Sequence, residues 1–470
     1  MTGGTAHIEL KHPLLSRIGA IADRAGVRAF VVGGYVRDLL LGKDVRDIDI
    51  VVEGDGIAFA RTVAGALGAE NVVVFEKFGT AMLALPEGKV EFVGARTERY
   101  TPESRKPRVS AGTLEEDLRR RDFTVNAMAV CLNAGCRGEL LDPLQGVADL
   151  RAGILRTPLE PVRTFDDDPL RTMRAIRFAS QLSFAIEPET LSAIASMKDR
   201  LAIVSQERIT DEFLKILGTA VPSVGLKLLF ETGVMKVVFP EVEQMSGVDQ
   251  RGDHHHKDVF LHTCMVVDNV ALASRKLWLR FSALVHDIAK PRTKVFLPGA
   301  GWTFHGHEEL GARMMKKIFQ RMRFPLEPLP YVEKLIRLHL RPQVLVDEIV
   351  TDSAVRRLVF EAGEDIDDLM ILCRADITSK NPALVSKYLR NYDLVLKKVQ
   401  EVIEKDRLRN WQPPVRGEEI MAVCNLEPGR PVGVLKKAIE EAILDGKIPN
   451  EHDAALEYLL RIKDEILSKE

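Results

Sequence analysis

The sequence predicts an α/β head at the amino-terminal end, followed by a mostly α-helical remainder. In the first third of the 470 residues, short apolar runs alternate with amphipathic segments, which is typical of mixed strands and helices. A chain of this length is too long for one ordinary core, so two to four domains are expected. The predicted parts are a head at 1–155, a helical neck at 156–245, a histidine-rich domain at 246–400 and a helical tail at 401–470.

The composition describes a soluble globular protein, with 46% apolar and 29% charged residues. No run of 18 apolar residues exists and the first residues lack an apolar signal core, so we expect a cytoplasmic protein without a membrane span. The five cysteines are scattered without a Cys-x-x-Cys pair, which favours a reducing compartment and argues against a disulfide framework. A net charge of −2 means that any RNA must bind through a local basic surface.

The head is organised around Val31–Val52, VVGGYVRDLLLGKDVRDIDIVV. Gly33 and Gly34 form a turn that allows close approach of a ligand, and their amides could face a phosphate. Asp47 and Asp49 lie two residues apart on a predicted strand, so both point to one face. Two adjacent carboxylates repel, and oxygen ligands suit Mg²⁺ bound together with substrate phosphates. The sequence therefore predicts a magnesium site here.

This string resembles the first motif of the polymerase-beta-like nucleotidyltransferases. The branch is the one that holds class II tRNA nucleotidyltransferases (CCA-adding enzymes) and bacterial poly(A) polymerases. The resemblance implies that Asp47 and Asp49 are catalytic metal ligands, and it makes Glu91, on a neighbouring predicted strand, the candidate third carboxylate. It also implies that Gly33, Gly34 and Arg37 hold the phosphates of a nucleotide.

A polar segment and a charged motif follow the predicted strands of the head. Residues 96–118 are rich in turn-forming and charged residues, which predicts a flexible loop. Arg121 and Asp122 lie in RRDFTVNAMA, where an arginine fork suits phosphate and an acid suits a sugar hydroxyl. The string is similar to the family's RRDFT-x-NAMA motif, which implies contacts to triphosphate and ribose. The later segment LDPLQGVADL resembles a family motif, and we interpret Asp142 and Asp149 as structural caps.

The predicted neck carries a basic stripe. Asp166–Asp168 followed by Pro169 predicts the start of a helix. On that helix Arg171, Arg174 and Arg177 recur every three residues and form one drifting row. A solvated basic face is the alternative interpretation. The resemblance implies that Arg174 and Arg177 help to bind phosphates.

Asp168 and Arg171 predict a way to select bases without a template. One helical turn apart, they can point the same way. A carboxylate accepts from an exocyclic amine and a guanidinium donates to a ring nitrogen, a pairing that cytosine and adenine satisfy and uracil and guanine do not. The string Asp-Asp-Pro-Leu-Arg looks like the family's Glu-Asp-x-x-Arg motif, with Asp167 in place of Glu.

The third part is rich in histidine, since eight of the eleven histidines lie between His254 and His339. His262, the pair His286–Asp287 and Asp376 give the order H…HD…D, the pattern of the HD phosphohydrolase superfamily. Imidazole and carboxylate ligands together suit a divalent transition metal, which would activate water for attack on a phosphate ester. Reuse of the HD fold for RNA docking is the alternative.

Together these resemblances imply a cytoplasmic enzyme that adds or repairs the 3′-terminal CCA of tRNA from CTP and ATP. Two Mg²⁺ ions would support phosphoryl transfer and release of pyrophosphate. Two alternatives stay open. The product could be a poly(A) tail, or only CC or only A, or the HD domain could be the working metal phosphohydrolase beside a head that binds nucleotide or RNA. The sequence does not predict the oligomeric state.

Overall fold

The computed structural model describes most of the chain and divides it into two compact units, Met1–Pro240 and Glu241–Glu470. The described residues are 7–43, 45, 47–69, 71–76, 79–101, 104–248, 258–299, 301–343, 352–378, 381–406 and 414–468. The histidines at 254–256 lie outside these ranges. The four predicted parts stay a prediction, while the α/β head followed by helices is confirmed.

A mixed sheet forms the framework of the first unit. Its strands, in spatial order, are β3 (Val72–Phe75), β4 (Thr80–Leu85), β5 (Gly88–Gly94), β2 (Asp47–Val52), β1 (Ala29–Val32), β8 (Ala129–Cys131) and β9 (Leu140–Leu141). Strands β2 and β5 are parallel, and the other described neighbours are antiparallel. Strand β2 therefore lies between β5 and β1, and the acids at its start are paired with residues of β5.

Among the described residues, three two-stranded pairs lie outside this sheet. They are β6 (Arg96–Thr101) with β7 (Ser104–Ala111), β10 (Ile154–Leu155) with β11 (Ala185–Ile186), and β12 (Val295–Leu297) with β13 (Gly301–Thr303).

Local signals explain the helices of the first unit. Pro13 occupies the first turn of helix Pro13–Ala25, and Gly26 ends it with φ +66°. Thr113 and Glu116 form a capping box at the start of helix Leu114–Arg119. The remaining α-helices described in this unit are Gly34–Leu40, Gly56–Leu67, Gly146–Ala152, Pro161–Asp167, Leu170–Leu182, Pro188–Met197, Gln206–Leu217, Pro222–Glu231 and Val234–Val238. Short 3₁₀ turns cover Thr124–Asn126, Ala134–Cys136 and Lys198–Ile203.

The prediction of a flexible loop at 96–118 is wrong. Strands β6 and β7 form an antiparallel hairpin, and helix Leu114–Arg119 follows it. A two-stranded ribbon outside the main sheet needs no continuous apolar face, which is why its composition resembles that of a loop.

The predicted helix start after the acidic run is confirmed to within one residue, but Asp166 and Asp167 belong to the end of the preceding helix. Helix Pro161–Asp167 ends in this acidic run, and Asp168 is extended with φ −141°. The next helix begins at Leu170, because Pro169 disfavours a helical conformation at the residue before it. Asp168 still accepts a hydrogen bond from the Leu170 N–H at 3.2 Å, as a capping residue would.

The argument against a disulfide framework missed one local bond, since Cys131 and Cys136 form a disulfide. Their separation of five residues allows a local link that no Cys-x-x-Cys count reveals. The other three cysteines are free thiols. The cytoplasmic location stays a prediction.

The second unit is mostly helical. Helix Pro240–Glu243 contains the boundary between the units, and the α-helices described after it are Val259–Ala273, Leu277–Val285, Lys290–Thr293, His307–Met322, Leu329–Leu338, Asp352–Ala362, Ile366–Ala375, Pro382–Asp406, Gly417–Cys424, Arg430–Leu444 and His452–Leu467. A 3₁₀ turn covers Gly363–Asp365. The last three helices bury their own apolar cluster, which includes Leu435, Ile439 and Leu459. In the described part of the chain, no helix combines the length and the apolar character needed to cross a membrane.

Candidate functional site

Three carboxylates meet on one face of the sheet in the first unit. Asp47 and Asp49 lie two residues apart on β2, and Glu91 on β5 is directly opposite Asp49 in the parallel register. Opposed residues of neighbouring strands point to the same face, so Glu91 joins the pair that the sequence predicted. Asp47 is exposed and Asp49 is half-buried. This is an open, acidic site at which solutes can arrive.

The pKa values of these carboxyls reflect their crowding. Burial raises the pKa of Asp49; the nearby Arg121 opposes this shift and Asp47 adds to it. Burial also raises the pKa of Glu91, and the charge of Asp49 raises it further. Holding both groups ionised therefore costs free energy, and a divalent cation would offset that cost. The donor set is all oxygen, which fits Mg²⁺.

The Gly33–Gly34 turn brings the backbone against this acidic site. Gly33 has φ +70°, and a Cβ there would lie 2.9 Å from Nη1 of Arg121 and 3.8 Å from Oδ2 of Asp49. The backbone conformation therefore favours glycine, and a Cβ here would also push the Arg121 guanidinium away from its place beside Asp49. The Gly33 N–H donates to the Met128 carbonyl at 3.2 Å, so this amide is already engaged within the fold.

A hydrogen-bond network joins the predicted phosphate and ribose contacts. Arg37 donates to the Asn126 side-chain oxygen at 2.7 Å and binds both oxygens of Asp38 at 2.8 and 2.7 Å. Asn126 in turn donates to Oδ1 of Asp122 at 3.0 Å. Arg174 donates to Oδ2 of Asp122 at 2.9 and 2.5 Å. These bonds orient the arginines before any ligand binds.

Asp122 is buried and ionised. Burial favours its neutral form, but Arg174 and the Asn126 amide outweigh this effect and hold the pKa of Asp122 at about 2. Both of its oxygens accept bonds from protein groups, including the Phe123 N–H at 2.9 Å. In this structure Asp122 positions Arg174, and the ribose contact stays a prediction.

A second buried carboxylate, Asp117, anchors the arginine pair. Asp117 is 0% exposed and bonds to Arg120 and, at 3.1 Å, to Nη2 of Arg121. Although burial opposes ionisation, these two arginines lower the pKa of Asp117. Arg121 is thereby held beside Gly33 and Asp49, where the sequence placed a phosphate contact.

The helix Leu170–Leu182 presents two of its three arginines to the same space. Arg177 donates to the buried Glu212 at 2.6 Å, and its guanidinium lies 4.0 Å from the centre of the Phe178 ring. Arg37 and Arg174 lie 5.1 and 5.4 Å from that ring. Phe178 therefore supports three guanidinium groups through cation–π contacts.

Asp168 and Arg171 are placed differently. Arg171 is buried and donates to the backbone carbonyls of Thr164 at 3.3 Å and Arg120 at 2.6 Å. Asp168 bonds to the guanidinium of Arg208 at 3.2 Å. The structure thus engages both predicted base-reading groups with protein partners, and their role stays a prediction.

An open pocket of about 650 Å³ collects most of the predicted site residues. The predicted residues that line it are Gly33, Gly34, Arg37, Asp47, Asp49, Arg121, Asp122, Arg174 and Arg177. Glu91, Asp168 and Arg171 are not among the described lining residues. Sequence reasoning missed the lining residues Tyr35, Asp38, Val45, Asn126, Phe178 and Gln181. Of these, Phe178 and Gln181 could have been found from helical spacing, since each is four residues from a predicted arginine.

The second unit contains a cluster of four histidines and two aspartates. Most of them sit at helix ends, where backbone geometry aims side chains inward. The positions are His262 in helix Val259–Ala273, His286 and Asp287 after helix Leu277–Val285, His307 at the start of helix His307–Met322, His339 after helix Leu329–Leu338, and Asp376 after helix Ile366–Ala375. His307 and His339 were not among the predicted ligands.

These six side chains form two neighbouring groups that could each hold a metal ion. One group is His262, His286 and Asp376, and the other is Asp287, His307 and His339. Asp287 lies between the two groups, since its oxygens are 3.2 Å from Nε2 of His286 and 3.3 Å from Nε2 of His307.

The histidines are oriented as metal ligands are. Nδ1 of His286, His307 and His339 lies 2.8, 2.7 and 2.6 Å from a backbone carbonyl oxygen. A carbonyl can only accept, so each Nδ1 carries a proton, and each Nε2 is the ring nitrogen left to bind a metal in the cluster. Nε2 of His286 is buried and makes no hydrogen bond. A buried nitrogen that lies close to two carboxylates without making a hydrogen bond fits a bound cation.

The charges of the cluster balance internally. Burial opposes ionisation of Asp287, yet His286 and Lys290 hold its pKa well below the usual range. Burial alone would lower the pKa of His286, but Asp287 and Asp376 raise it to about 10. Burial lowers the pKa of His339 to about 3. A metal ion would replace the proton on His286 as the positive charge of the cluster.

Three family models match this chain. They are the "Poly A polymerase head domain" at residues 29–156, the "Probable RNA and SrmB- binding site of polymerase A" at 183–245 and the "HD domain" at 259–381. The HD domain match contains all six candidate ligands of the histidine cluster.

Relatives match over most of their length. An A-adding tRNA nucleotidyltransferase of Deinococcus radiodurans is 33% identical over 437 residues, covering 91% of this chain and 94% of that protein. A multifunctional CCA protein of Methylococcus capsulatus is 35% identical over 373 residues, covering 74% and 81%. A solved tRNA nucleotidyltransferase, complexed with a primer tRNA and an incoming ATP analog, has a TM-score of 0.59 at 26% identity and covers 82% of this chain and 99% of that one. The chain therefore belongs to the nucleotidyltransferase family that contains A-adding tRNA nucleotidyltransferases, multifunctional CCA proteins and poly(A) polymerases.

Proposed function

We propose that this nucleotidyltransferase adds or repairs the 3′-terminal CCA of tRNA from CTP and ATP and releases pyrophosphate. The observation that carries the proposal is the acidic face of β2 and β5 beside an arginine-lined pocket, with Asp49 and Glu91 in direct register. The multifunctional CCA relative, at 35% identity, supports the choice of product.

The residues of the first unit divide the work of phosphoryl transfer. Asp47, Asp49 and Glu91 would hold Mg²⁺. When bound, Mg²⁺ would lower the pKa of the RNA 3′ hydroxyl and neutralise negative charge on the triphosphate. Arg121 and Arg174 are held by Asp117 and Asp122, so their free faces bind phosphate oxygens without reorganisation. The Gly33 turn leaves room for this approach.

We further propose that Asp168 and Arg171 select cytosine and adenine at the site. Arg171 donates to two backbone carbonyls, so reading a base requires it to exchange at least one of those bonds. Arg171→Lys removes the planar fork and should relax discrimination against UTP while leaving CTP incorporation measurable. An unchanged CTP-to-UTP preference would remove Arg171 from base selection.

A-only addition is a second candidate, because the A-adding relative matches 91% of this chain. Two tRNA transcripts separate the candidates, one lacking CCA and one ending in CC. A CCA-adding enzyme incorporates CMP into the first, whereas an A-adding enzyme incorporates only AMP and only into the second.

A substitution of Asp49 tests whether the acidic site on β2 and β5 catalyses nucleotide incorporation. Asp49→Asn should reduce CMP incorporation by about a hundredfold or more, the size typical of removing a group that stabilises transition-state charge. Glu9→Gln, at an exposed residue of the same unit, is the matched control. Full incorporation by Asp49→Asn would exclude the proposed site.

We also propose that the histidine cluster binds two divalent transition-metal ions and hydrolyses phosphate esters. The two ligand groups and the unpaired His286 nitrogen support this. His339→Ala should lower the Mn²⁺ bound per chain by one equivalent relative to wild type, measured by elemental analysis after dialysis. His452→Ala, at a half-exposed histidine outside the cluster, is the control. Equal metal content in wild type and His339→Ala would contradict a second metal position.

A further inference from the structure

An exposed apolar hairpin rises from the histidine cluster. Strands β12 and β13 pair in register, with Phe296 opposite Trp302. Val295, Phe296, Leu297 and Trp302 are 53%, 56%, 40% and 40% exposed. A two-stranded hairpin has little stability of its own, so apolar side chains exposed on both of its faces indicate a contact surface rather than a core.

The chain segment that carries this hairpin has both of its ends in the metal-ligand cluster. The segment begins after Asp287 and ends at His307, and these two side chains lie 3.3 Å apart. Lys290 connects the two features, since its Nζ is 2.7 Å from Oδ2 of Asp287 and 5.7 Å from the centre of the Phe304 ring. A molecule lying along the hairpin would therefore have one end at the cluster.

The hairpin combines aromatic rings with positive charge. Phe296 and Trp302 lie 5.2 Å apart with an interplanar angle of 72°, and Nζ of Lys294 is 4.5 Å from the Trp302 ring centre. The sequence between Asp287 and His307 includes Lys290, Arg292 and Lys294 and no acidic residue. Flat rings beside cations fit a ligand that has flat rings and negative charge, which describes unpaired nucleotides.

We propose that Lys294–Leu297 and Gly301–Phe304 form a nucleotide-binding arm that stacks unpaired bases at the end of a single-stranded RNA. The arm holds a terminal phosphate of that RNA at the histidine cluster. This rests on the hydrolase activity proposed above for the same cluster. In the reaction, water attacks phosphorus, the bond from phosphorus to the ester oxygen breaks, and the products are inorganic phosphate and an RNA hydroxyl that takes up the proton.

Two substrates distinguish the contribution of the arm from that of the metal centre. p-Nitrophenyl phosphate needs only the cluster, whereas pentacytidylate with a 3′ phosphate also reaches the arm. In the full chain loaded with Mn²⁺, the double variant Phe296→Ala with Trp302→Ala should raise the KM for the oligonucleotide about tenfold, within the range known for loss of base stacking. Its kcat and its hydrolysis of p-nitrophenyl phosphate should stay at the wild-type level.

Leu272→Ala is the matched control, because Leu272 is 85% exposed on helix Val259–Ala273 of the same unit. This variant should leave both substrates unaffected. An unchanged KM for pentacytidylate in the double variant would overturn the proposal that the hairpin binds nucleotides. So would a change in oligomeric state on light scattering with oligonucleotide affinity retained, since the hairpin would then be a contact between copies of the chain.

Cross-linking tests the arm even if the cluster hydrolyses nothing. A short oligouridine containing 5-iodouridine should form its adduct, on irradiation, with the peptide that carries Phe296 or Trp302. Adducts found only elsewhere would overturn the arm. If neither substrate is hydrolysed by wild type while this adduct forms, the hydrolase proposal fails and the arm remains as an RNA-binding element.

Discussion

At the scale of residues, buried carboxylates hold the arginines of the pocket. Asp117 and Asp122 are each buried and each bind at least one guanidinium that also faces the pocket. A buried ion pair is costly to break, because removing one partner leaves the other uncompensated. Changes at these acids should therefore act on the arginines, with effects on nucleotide binding even without direct contact.

The pH dependence of stability tests this for Asp122. Its pKa is about 2 in the folded chain against 3.8 for the free group, so its ionised form stabilises the fold above pH 3.8. That stabilisation is lost as the pH falls from 3.8 towards 2, and it amounts to about 2 kcal/mol. The free energy of unfolding of wild type should exceed that of Asp122→Asn at pH 5, and the gap should close towards pH 2.

Chemical denaturation at several pH values measures this gap. The exposed substitution Asp211→Asn in the same unit is the control, and its gap to wild type should be small throughout. A gap for Asp122→Asn that stays constant from pH 5 to pH 2 would show that the carboxylate is not held ionised by Arg174.

Residue identity predicted much of the site, and the tertiary structure decided the rest. Asp47 and Asp49 were accessible to prediction because strand alternation is local, and the register then placed Glu91 opposite Asp49. His307 and His339 were missed because helix ends far apart in the chain have to meet before the ligand groups exist. The bonds of Arg171 to two carbonyls depend on that same long-range packing.

At the scale of elements, helix Gly146–Ala152 supports the turn that follows Asp122. Asp142 accepts hydrogen bonds from the N–H groups of Gly146 and Val147 at 2.6 and 2.9 Å, which confirms it as a cap. Asp149 is a bridge rather than a cap, since it binds the Thr124 hydroxyl at 2.7 Å. A Cβ on Gly146 would lie 2.3 Å from the Thr124 carbonyl, so helix and turn pack closely.

Removing this cap should affect stability and leave the chemistry intact. Asp142→Ala should lower the free energy of unfolding by about 1 kcal/mol, the usual value of a lost helix cap. Asp142→Asn keeps an acceptor and is the control. Thermal melting and CMP incorporation at low temperature measure the two effects. Normal melting combined with lost incorporation would place Asp142 in the reaction itself.

The elements also show where local patterns suffice. Helix Gly56–Leu67 and strands β3 and β4 each lie in a segment whose hydrophobic period and flanking polar or glycine residues indicate that element locally. The hairpin of β6 and β7 was taken for a loop, because its pairing lies outside the main sheet and leaves no alternation of apolar residues. Hydrophobic patterns detect strands by their apolar period, so a hairpin of mostly polar sequence escapes them.

At the scale of the whole molecule, each compact unit contains its own candidate site. The acidic pocket lies within Met1–Pro240 and the histidine cluster within Glu241–Glu470. All described residues of each site belong to the unit that contains that site. The two activities should therefore be separable by mutation.

Separate losses test this division. His286→Ala should lower hydrolysis of p-nitrophenyl phosphate by about a hundredfold or more while leaving CMP incorporation unchanged. Asp47→Asn should lower CMP incorporation and leave hydrolysis of p-nitrophenyl phosphate unchanged. Both activities are measured on the same purified samples, with His452→Ala as control. Joint loss in either variant, with normal melting, would contradict two independent sites.

The central claim is that the pocket beside Asp47 and Asp49 builds a CCA end, and product length tests it most directly. A tRNA transcript lacking CCA is incubated with CTP alone, ATP alone or both, and the products are resolved to one nucleotide. The account predicts two added nucleotides with CTP alone and three with both. A long A tail with ATP, growth that stops after CC with both nucleotides, or no addition of C would contradict it.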